Sequence, residues 1–311
     1  MTPKISILIP VYNSSRYLQQ CLDSLQRQTM RELEFVVVND GSTDNSLEII
    51  KQYKKRDSRF TIIDKTNTGY GSSLNLAMKK ARGQYIGIVE PDDFCSLDMY
   101  EKLWKEALRY NFPNIIRANF YSYSNQKGDQ PAHGIPTTEK ENVFLLPPAI
   151  WSAIYKLDFL IHYGIFFLET PGASYQDLGF FYKTMLTDKQ PRFVAQPLYH
   201  YRIDNAESSI RSDKKVNSVV IEHASIASFI NSRHSSKNGY YVGKFANYLW
   251  NINRLSKKTA TKFAKTFRNE FQADRAQIDF NEFPLKYHIA LEGLLRLPPS
   301  AFVSIFRRKL H

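Results

Sequence analysis

Four times in the first 110 residues an apolar run of strand length gives way to a segment with helical periodicity. The runs are ISILIP, EFVVVN, FTIID and YIGIVE, and the segments after them are RYLQQCLDSLQRQ, DNSLEIIKQYKK, SSLNLAMKKAR and LDMYEKLWKEALRY. A period of 2, or a continuous apolar run, suits a strand; recurrence at three and four residues suits an amphipathic helix. Alternation of the two reads as successive βαβ units around a mostly parallel sheet flanked by helices, because parallel strands need crossover connections. Such sheets bind ligands beyond the carboxyl ends of their strands. Those ends read PVYN, NDGSTD, KTNTGYG and EPDD, so small, polar and acidic residues gather at one edge.

The last of these raises a question of charge. Glu90, Asp92 and Asp93 follow an apolar run directly, and two carboxylates 5 to 6 Å apart repel by roughly 3 kcal/mol at an effective dielectric of about 20. One acid there, or Ser96, can cap the following helix. Three make a site for a hard divalent cation, Mg²⁺ or Mn²⁺, which takes carboxylate oxygens and keeps positions for substrate phosphates. Asp40, at the end of the second strand, is placed to accept from a base or ribose, while Gly41 serves a tight turn. Gly69 and Gly71 let the backbone pass close to a ligand, with Asn67 and Asn75 as polar contacts; the dinucleotide fingerprint is not met, since its third glycine is missing and the motif follows the third strand. Asp177 stands near a helix start expected close to Ser174, as a dipole partner or a general base. His200, at the end of the strand-like RFVAQPLYHYRI, reads as a metal ligand or a packed histidine, and Arg202 as a solvated arginine. Trp151, Tyr155 and Tyr175 offer faces on which a ligand can stack, or else they pack the core.

Charge divides the chain. Residues 1 to 204 carry a net +2, and residues 205 to 311 carry +10 of the total +12. A nearly neutral domain over 1–204 and a basic, mostly helical module over 205–311 are therefore expected, the module facing anionic partners. Within it Phe263, Phe267 and Phe271 recur every four residues beside Lys258, Lys262, Lys265 and Arg268, and the chain closes with SAFVSIFRRKL. Such a helix either lies on an anionic membrane surface or packs on the catalytic domain or a second subunit. Cys21 and Cys95 are the only cysteines and lack metal-like spacing, so a reduced, cytoplasmic protein is expected. Neither a signal-like opening nor an apolar run of about 18 residues is present.

Taken in order, ISILIPVYN, FVVVNDGSTDNS, ARGQYIGIVEPDD and ETPGASYQDLGFF resemble the family 2 nucleotide-sugar glycosyltransferases of the GT-A (Rossmann-like) fold, over roughly residues 4 to 204. The resemblance implies an α/β GT-A domain with a C-terminal helical extension. It implies that Pro10, Tyr12, Asn13 and Asp40 hold the nucleotide, with Asn67 and Gly69 beside them. The family's Asp-x-Asp motif falls on Glu90, Pro91 and Asp92, which makes Asp92 the metal ligand and Glu90 a contact to ribose or a metal-bound water. Glu at the first position departs from the family pattern. The family's Glu-Asp pair falls on Gln176 and Asp177, with Asp177 as catalytic base. The activity implied is inverting transfer of a hexose from a nucleotide-sugar, UDP by the family's habit, to a saccharide, lipid-linked or protein-linked glycan acceptor in bacterial surface polysaccharide or glycoconjugate assembly. A nucleotidyltransferase would need a glycine- and lysine-rich phosphate loop that PVYNSSRY does not supply. A nucleic-acid-binding protein would need a recognisable module in the basic tail.

Overall fold

The computed structural model describes residues 2–138, 141–188, 190–205, 216–233 and 239–307. The chain divides into two compact units, residues 1–139 with 148–209, and residues 140–147 with 210–311.

The first unit opens with the expected alternation: β1 (Ile5–Val11), α1 (Ser15–Gln26), β2 (Leu33–Asp40), α2 (Ser46–Arg56), β3 (Phe60–Lys65), α3 (Tyr70–Lys80) and β4 (Tyr85–Ile88). Short β5 (Phe94–Cys95), α4 (Met99–Arg109), β6 (Ile115–Ser124), β7 (Gly128–Ala132), β8 (Ala153–Lys156), α5 (Leu157–His162), α6 (Gln176–Thr187) and β9 (Arg192–Arg202) follow. One sheet runs β3-β2-β1-β4-β8-β6-β9-β5, with β7 paired to β6. Every residue of β1, β2 and β4 is buried. That is why these strands read as unbroken apolar runs, as parallel strands covered on both faces do. β1 takes β2 on one side and β4 on the other, all parallel. Beyond β4 the sheet is mixed: β8 is antiparallel to both β4 and β6, whereas β9 runs parallel to β6. The polar stretch after β6 forms a hairpin with β7.

This register places the site. The carboxyl ends of β1, β2 and β3 stand side by side, with Val11 opposite Asn39 and Asp40 opposite Lys65. β9 reaches the same edge by pairing with β5, His200 opposite Phe94. The acidic turn between β4 and β5 is therefore held between the parallel half of the sheet and a strand more than 100 residues later in the chain.

The second unit comprises helices α7 (Val216–Arg233), α8 (Tyr240–Arg254), α9 (Lys257–Ala273), α10 (Leu285–Arg296) and α11 (Pro299–Phe306), with a short turn at Val143–Leu145. Asn142 joins that turn to the helices by donating to Gly239 O at 3.0 Å. The α9 phenylalanines are buried, as their spacing requires, and within this unit α8 covers them. Phe267 meets Phe245 and Tyr248 of α8 at 5.2 and 4.8 Å between ring centres, and Phe263 meets Tyr248 at 5.2 Å. The cations Lys258, Lys262 and Lys265 remain exposed on the opposite face. Of the closing RRK, only Arg307 lies among the described residues. No helix among them is long and apolar enough to cross a membrane.

Phe267→Ala should lower unfolding stability by about 3–5 kcal/mol, because it empties the centre of this aromatic cluster. The exposed neighbour Thr266→Ala should stay within about 0.5 kcal/mol. Urea unfolding of the two variants checks both.

Candidate functional site

The three acids after β4 have separate fates. Asp93 is buried, 1% exposed. Its Oδ2 accepts from the Tyr199 hydroxyl at 2.9 Å and its Oδ1 from the Arg202 backbone N–H at 2.7 Å. Burial, and then the charge of Asp92, pushes its carboxyl well above the usual range. Both oxygens are spent on β9, so Asp93 is a strut, and neither it nor Ser96 caps α4. That cap position is Asp98, whose side chain bonds no backbone N–H there and pairs with Lys102.

Arg202, expected in solvent, has a side chain only 1% exposed. Its Nε donates to Asp92 O at 2.8 Å and an Nη to Gln20 Oε1 at 2.6 Å, while Tyr17 and Tyr123 flank the guanidinium at 4.4 and 4.9 Å. It holds the turn by the backbone and leaves the Asp92 carboxylate to other partners. Asp92 Oδ2 accepts from Asn205 Nδ2 at 2.8 Å; Oδ1 has no hydrogen-bond donor among the described residues. Glu90 is half-buried, and its Oε1 accepts from the Tyr70 hydroxyl. Burial, with the charges of Asp92 and Asp177, pushes the Glu90 carboxyl up to about 8, against the pull of that hydrogen bond.

Asp177 opens α6. The cap residue two positions before it, Tyr175, takes a left-handed φ of 65°, which turns the chain sharply into the helix at Gln176. Gln176 is buried and closes the preceding loop on itself, its amide donating to Thr170 Oγ1 at 2.9 Å and Gly172 O at 3.2 Å while its oxygen accepts from Ser174 N. A neutral amide thus occupies the place beside the single carboxylate. Asp177 Oδ1 accepts from Leu178 N at 2.9 Å, and burial pushes the carboxyl up to about 6. Tyr70 ties the two acids together, its hydroxyl donating to Glu90 and its backbone N–H to Gly172 O in the loop that leads to Asp177.

The first three loops are laced together. Asn13, at φ 48°, accepts from Thr43 N at 2.7 Å and donates its own N–H to Ser42 Oγ. Asp40 is 4% exposed and accepts from Lys65 Nζ, from Thr68 N at 2.8 Å and from Gly69 N at 2.9 Å. It shapes the Thr66–Gly69 loop and keeps little capacity for a base. Asn67 is exposed, without a side-chain hydrogen bond among the described residues. Gly69 has φ 100°, and a Cβ there would lie 2.8 Å from Thr170 O, so only glycine allows this loop to meet the one before Asp177. Pro10 is buried within β1, while Tyr12 stands 51% exposed at its end.

Four expectations from sequence are corrected here. Tyr155 is wholly buried and donates its hydroxyl to Ile150 O, so it offers no face to an acceptor. Trp151 is 8% exposed and stacks on Tyr199 and Tyr201 at 4.3 and 5.2 Å; it backs the site without opening onto it. His200 has both ring nitrogens engaged, Nδ1 with Asp129 Oδ1 at 2.7 Å and Nε2 with Ser96 Oγ at 3.1 Å, so it is a packed histidine. Asn75 grips the Phe167 backbone in both directions at 3.0 Å and is no ligand contact. Tyr70, Tyr199, Tyr201 and Asn205 were missed. YHYR placed two tyrosines on one face of a strand, and that period was the available signal.

A metal fits part of this arrangement. No group of three or more His, Cys, Asp or Glu among the described residues is arranged to enclose a cation. What is present is an Asp92 oxygen without a donor among the described residues beside the Glu90 carboxyl, hard oxygen ligands that suit a cation completed by substrate oxygens. Removing the strut should unfold the site but removing the open acid should not. Asp93→Ala should lose about 2–4 kcal/mol in urea unfolding, because it orphans two interior donors, while Asp92→Asn stays within about 1 kcal/mol.

Residues 6–162 match the model of Glycosyl transferase family 2. The glycosyltransferase EpsJ of Bacillus subtilis is 40% identical over 147 residues, 47% of this chain and 42% of EpsJ, so the match spans less than half of that relative. Among solved structures, residues 1–349 of TarS from S. aureus in complex with UDP-GlcNAc superpose with a TM-score of 0.64 at 18% identity, covering 96% of this chain and 89% of that one. The mannosyltransferase PcManGT from Pyrobaculum calidifontis, in complex with GDP-Man and Mn²⁺, gives 0.54 at 16% identity, covering 98% and 86%. The sheet with its flanking helices is thus the GT-A architecture, and the chain belongs to glycosyl transferase family 2.

Proposed function

We propose that the protein is an inverting, metal-dependent hexosyltransferase that moves a sugar from a nucleotide-sugar to a hydroxyl of a glycan acceptor. The observation that carries this reading is that Glu90 and Asp92 share the turn after β4 and that Tyr70, bonded to Glu90 and to Gly172, ties this turn to the loop leading into Asp177; each of the three acids is bonded through one carboxylate oxygen and open at the other among the described residues. Asp92, with Glu90 beside it, is the place for the cation, which when bound would neutralise charge building on the leaving diphosphate. Tyr12, Asn13, Asn67 and Gly69 form the nucleotide side, with Asp40 acting through the loop it shapes and Pro10 through the strand end. TarS with UDP-GlcNAc and PcManGT with GDP-Man support a nucleotide-sugar donor; between these bases we favour uracil.

Asp177 acts on the acceptor. As the acceptor oxygen bonds to the anomeric carbon and the bond to phosphate breaks, Asp177 Oδ2 takes the hydroxyl proton and the nucleoside diphosphate leaves. One displacement inverts the anomeric configuration. Tyr175 is the aromatic neighbour that remains for the acceptor side, next to the base in the chain. A saccharide or lipid-linked glycan acceptor in surface polysaccharide or glycoconjugate assembly fits the +10 carried by residues 205–311, which favours work at the anionic inner face of a membrane.

With the base at about 6, transfer requires ionised Asp177. Its rate should therefore rise with pH through about 6 and level off above, falling about tenfold per unit below. Asp177→Asn should bind donor normally and lose about 10²- to 10⁴-fold in transfer, measured in steady-state assays from pH 5 to 8. Asp92→Asn should lose Mn²⁺-dependent UDP binding in calorimetry; unchanged affinity would remove Asp92 from the metal site.

A further inference from the structure

We propose that Tyr70 is a positioning residue for the donor: its hydroxyl fixes the Glu90 side chain so that the second carboxylate oxygen is presented to the nucleotide. The inference rests on the reading of this edge as a nucleotide-sugar site, but the residue is singled out by geometry. A glutamate has three side-chain torsions, and one standing at a strand end samples many rotamers unless something holds it. Here the Tyr70 hydroxyl donates to Oε1, while Oε2 has no donor among the described residues.

Tyr70 is itself held in place. It is the first residue of α3, immediately after the left-handed Gly69. Its backbone N–H donates to Gly172 O at 3.1 Å, and its ring meets Phe167 edge-on at 6.1 Å. At the next residue, a Cβ at Gly71 would lie 2.0 Å from Leu168 O, so the first turn of α3 seats tightly against the loop leading to Asp177. The same residue therefore touches the acid on the donor side and the loop on the acceptor side. The phenol supplies the fixed point that the long glutamate arm lacks.

Calorimetry with Mn²⁺ and either UDP or GDP on four proteins tests this: wild type, Tyr70→Phe, Glu90→Ala and the double variant. Phenylalanine keeps the ring and its packing, and melting curves of all four verify the fold. Tyr70→Phe should weaken binding of the preferred nucleotide about tenfold and Glu90→Ala at least as much. The double variant should match Glu90→Ala within twofold, because the phenol then has nothing to hold. Wild-type affinity in Tyr70→Phe, or losses that multiply in the double variant, would overturn the positioning role while leaving the nucleotide site standing. A wild type that binds neither nucleotide would overturn both readings.

Discussion

A single buried carboxylate keeps the halves of the first unit in register at the site. Asp93 lies at the end of the parallel strands, and its two hydrogen bonds go to Tyr199 and Arg202, residues of the strand that returns from the far side of the sheet. A carboxyl group with so little exposure persists only when its oxygens are satisfied. The edge therefore forms only when β9 arrives with those two donors. The same strand delivers the Arg202 guanidinium to the Asp92 carbonyl, and the Tyr199 oxygen accepts from Glu90 N at 3.1 Å. The acidic turn is fixed through its backbone, which leaves side chains free for ligands.

From that fixed backbone follows a division of labour among acids that look alike in sequence. One is inward and structural. One faces out beside an asparagine amide. One is tied by a phenol. The fourth, Asp177, arrives from a separate helix start whose approach is set by a left-handed tyrosine and by a glutamine that latches the preceding loop. Electrostatics then separates their chemistry: burial beside other acids raises Glu90, and burial alone raises Asp177 toward the range where a general base works near neutral pH.

Much of the parallel half was legible because its signals are local. Apolar runs and helical periods lie within about a dozen residues, and the loops at strand ends follow from them. The mixed half was harder, since β8 and β9 pair across long separations and nothing in AIYK reports its partners. The same limit applied to side chains. Trp151, Tyr155 and His200 have residue types that suit both a site and a core, and only the stacking and the hydrogen bonds at both imidazole nitrogens decide between them. The α9 phenylalanines were legible as a face, but the sequence does not reveal that α8 covers it. Tyr70 carried no signal at all, because its meaning depends on Glu90 lying across the loop from it.

The central claim is that Asp92, rather than Asp93 or His200, receives the cation that accompanies a nucleotide-sugar. Anomalous diffraction at the manganese edge, from crystals grown with UDP and MnCl₂, tests it most directly. The account predicts one peak within coordination distance of an Asp92 oxygen and of the diphosphate, with Asp93 still bonded to Tyr199 and Arg202. A nucleotide bound with manganese on His200 or Asp93, or with no manganese at this edge, would contradict it.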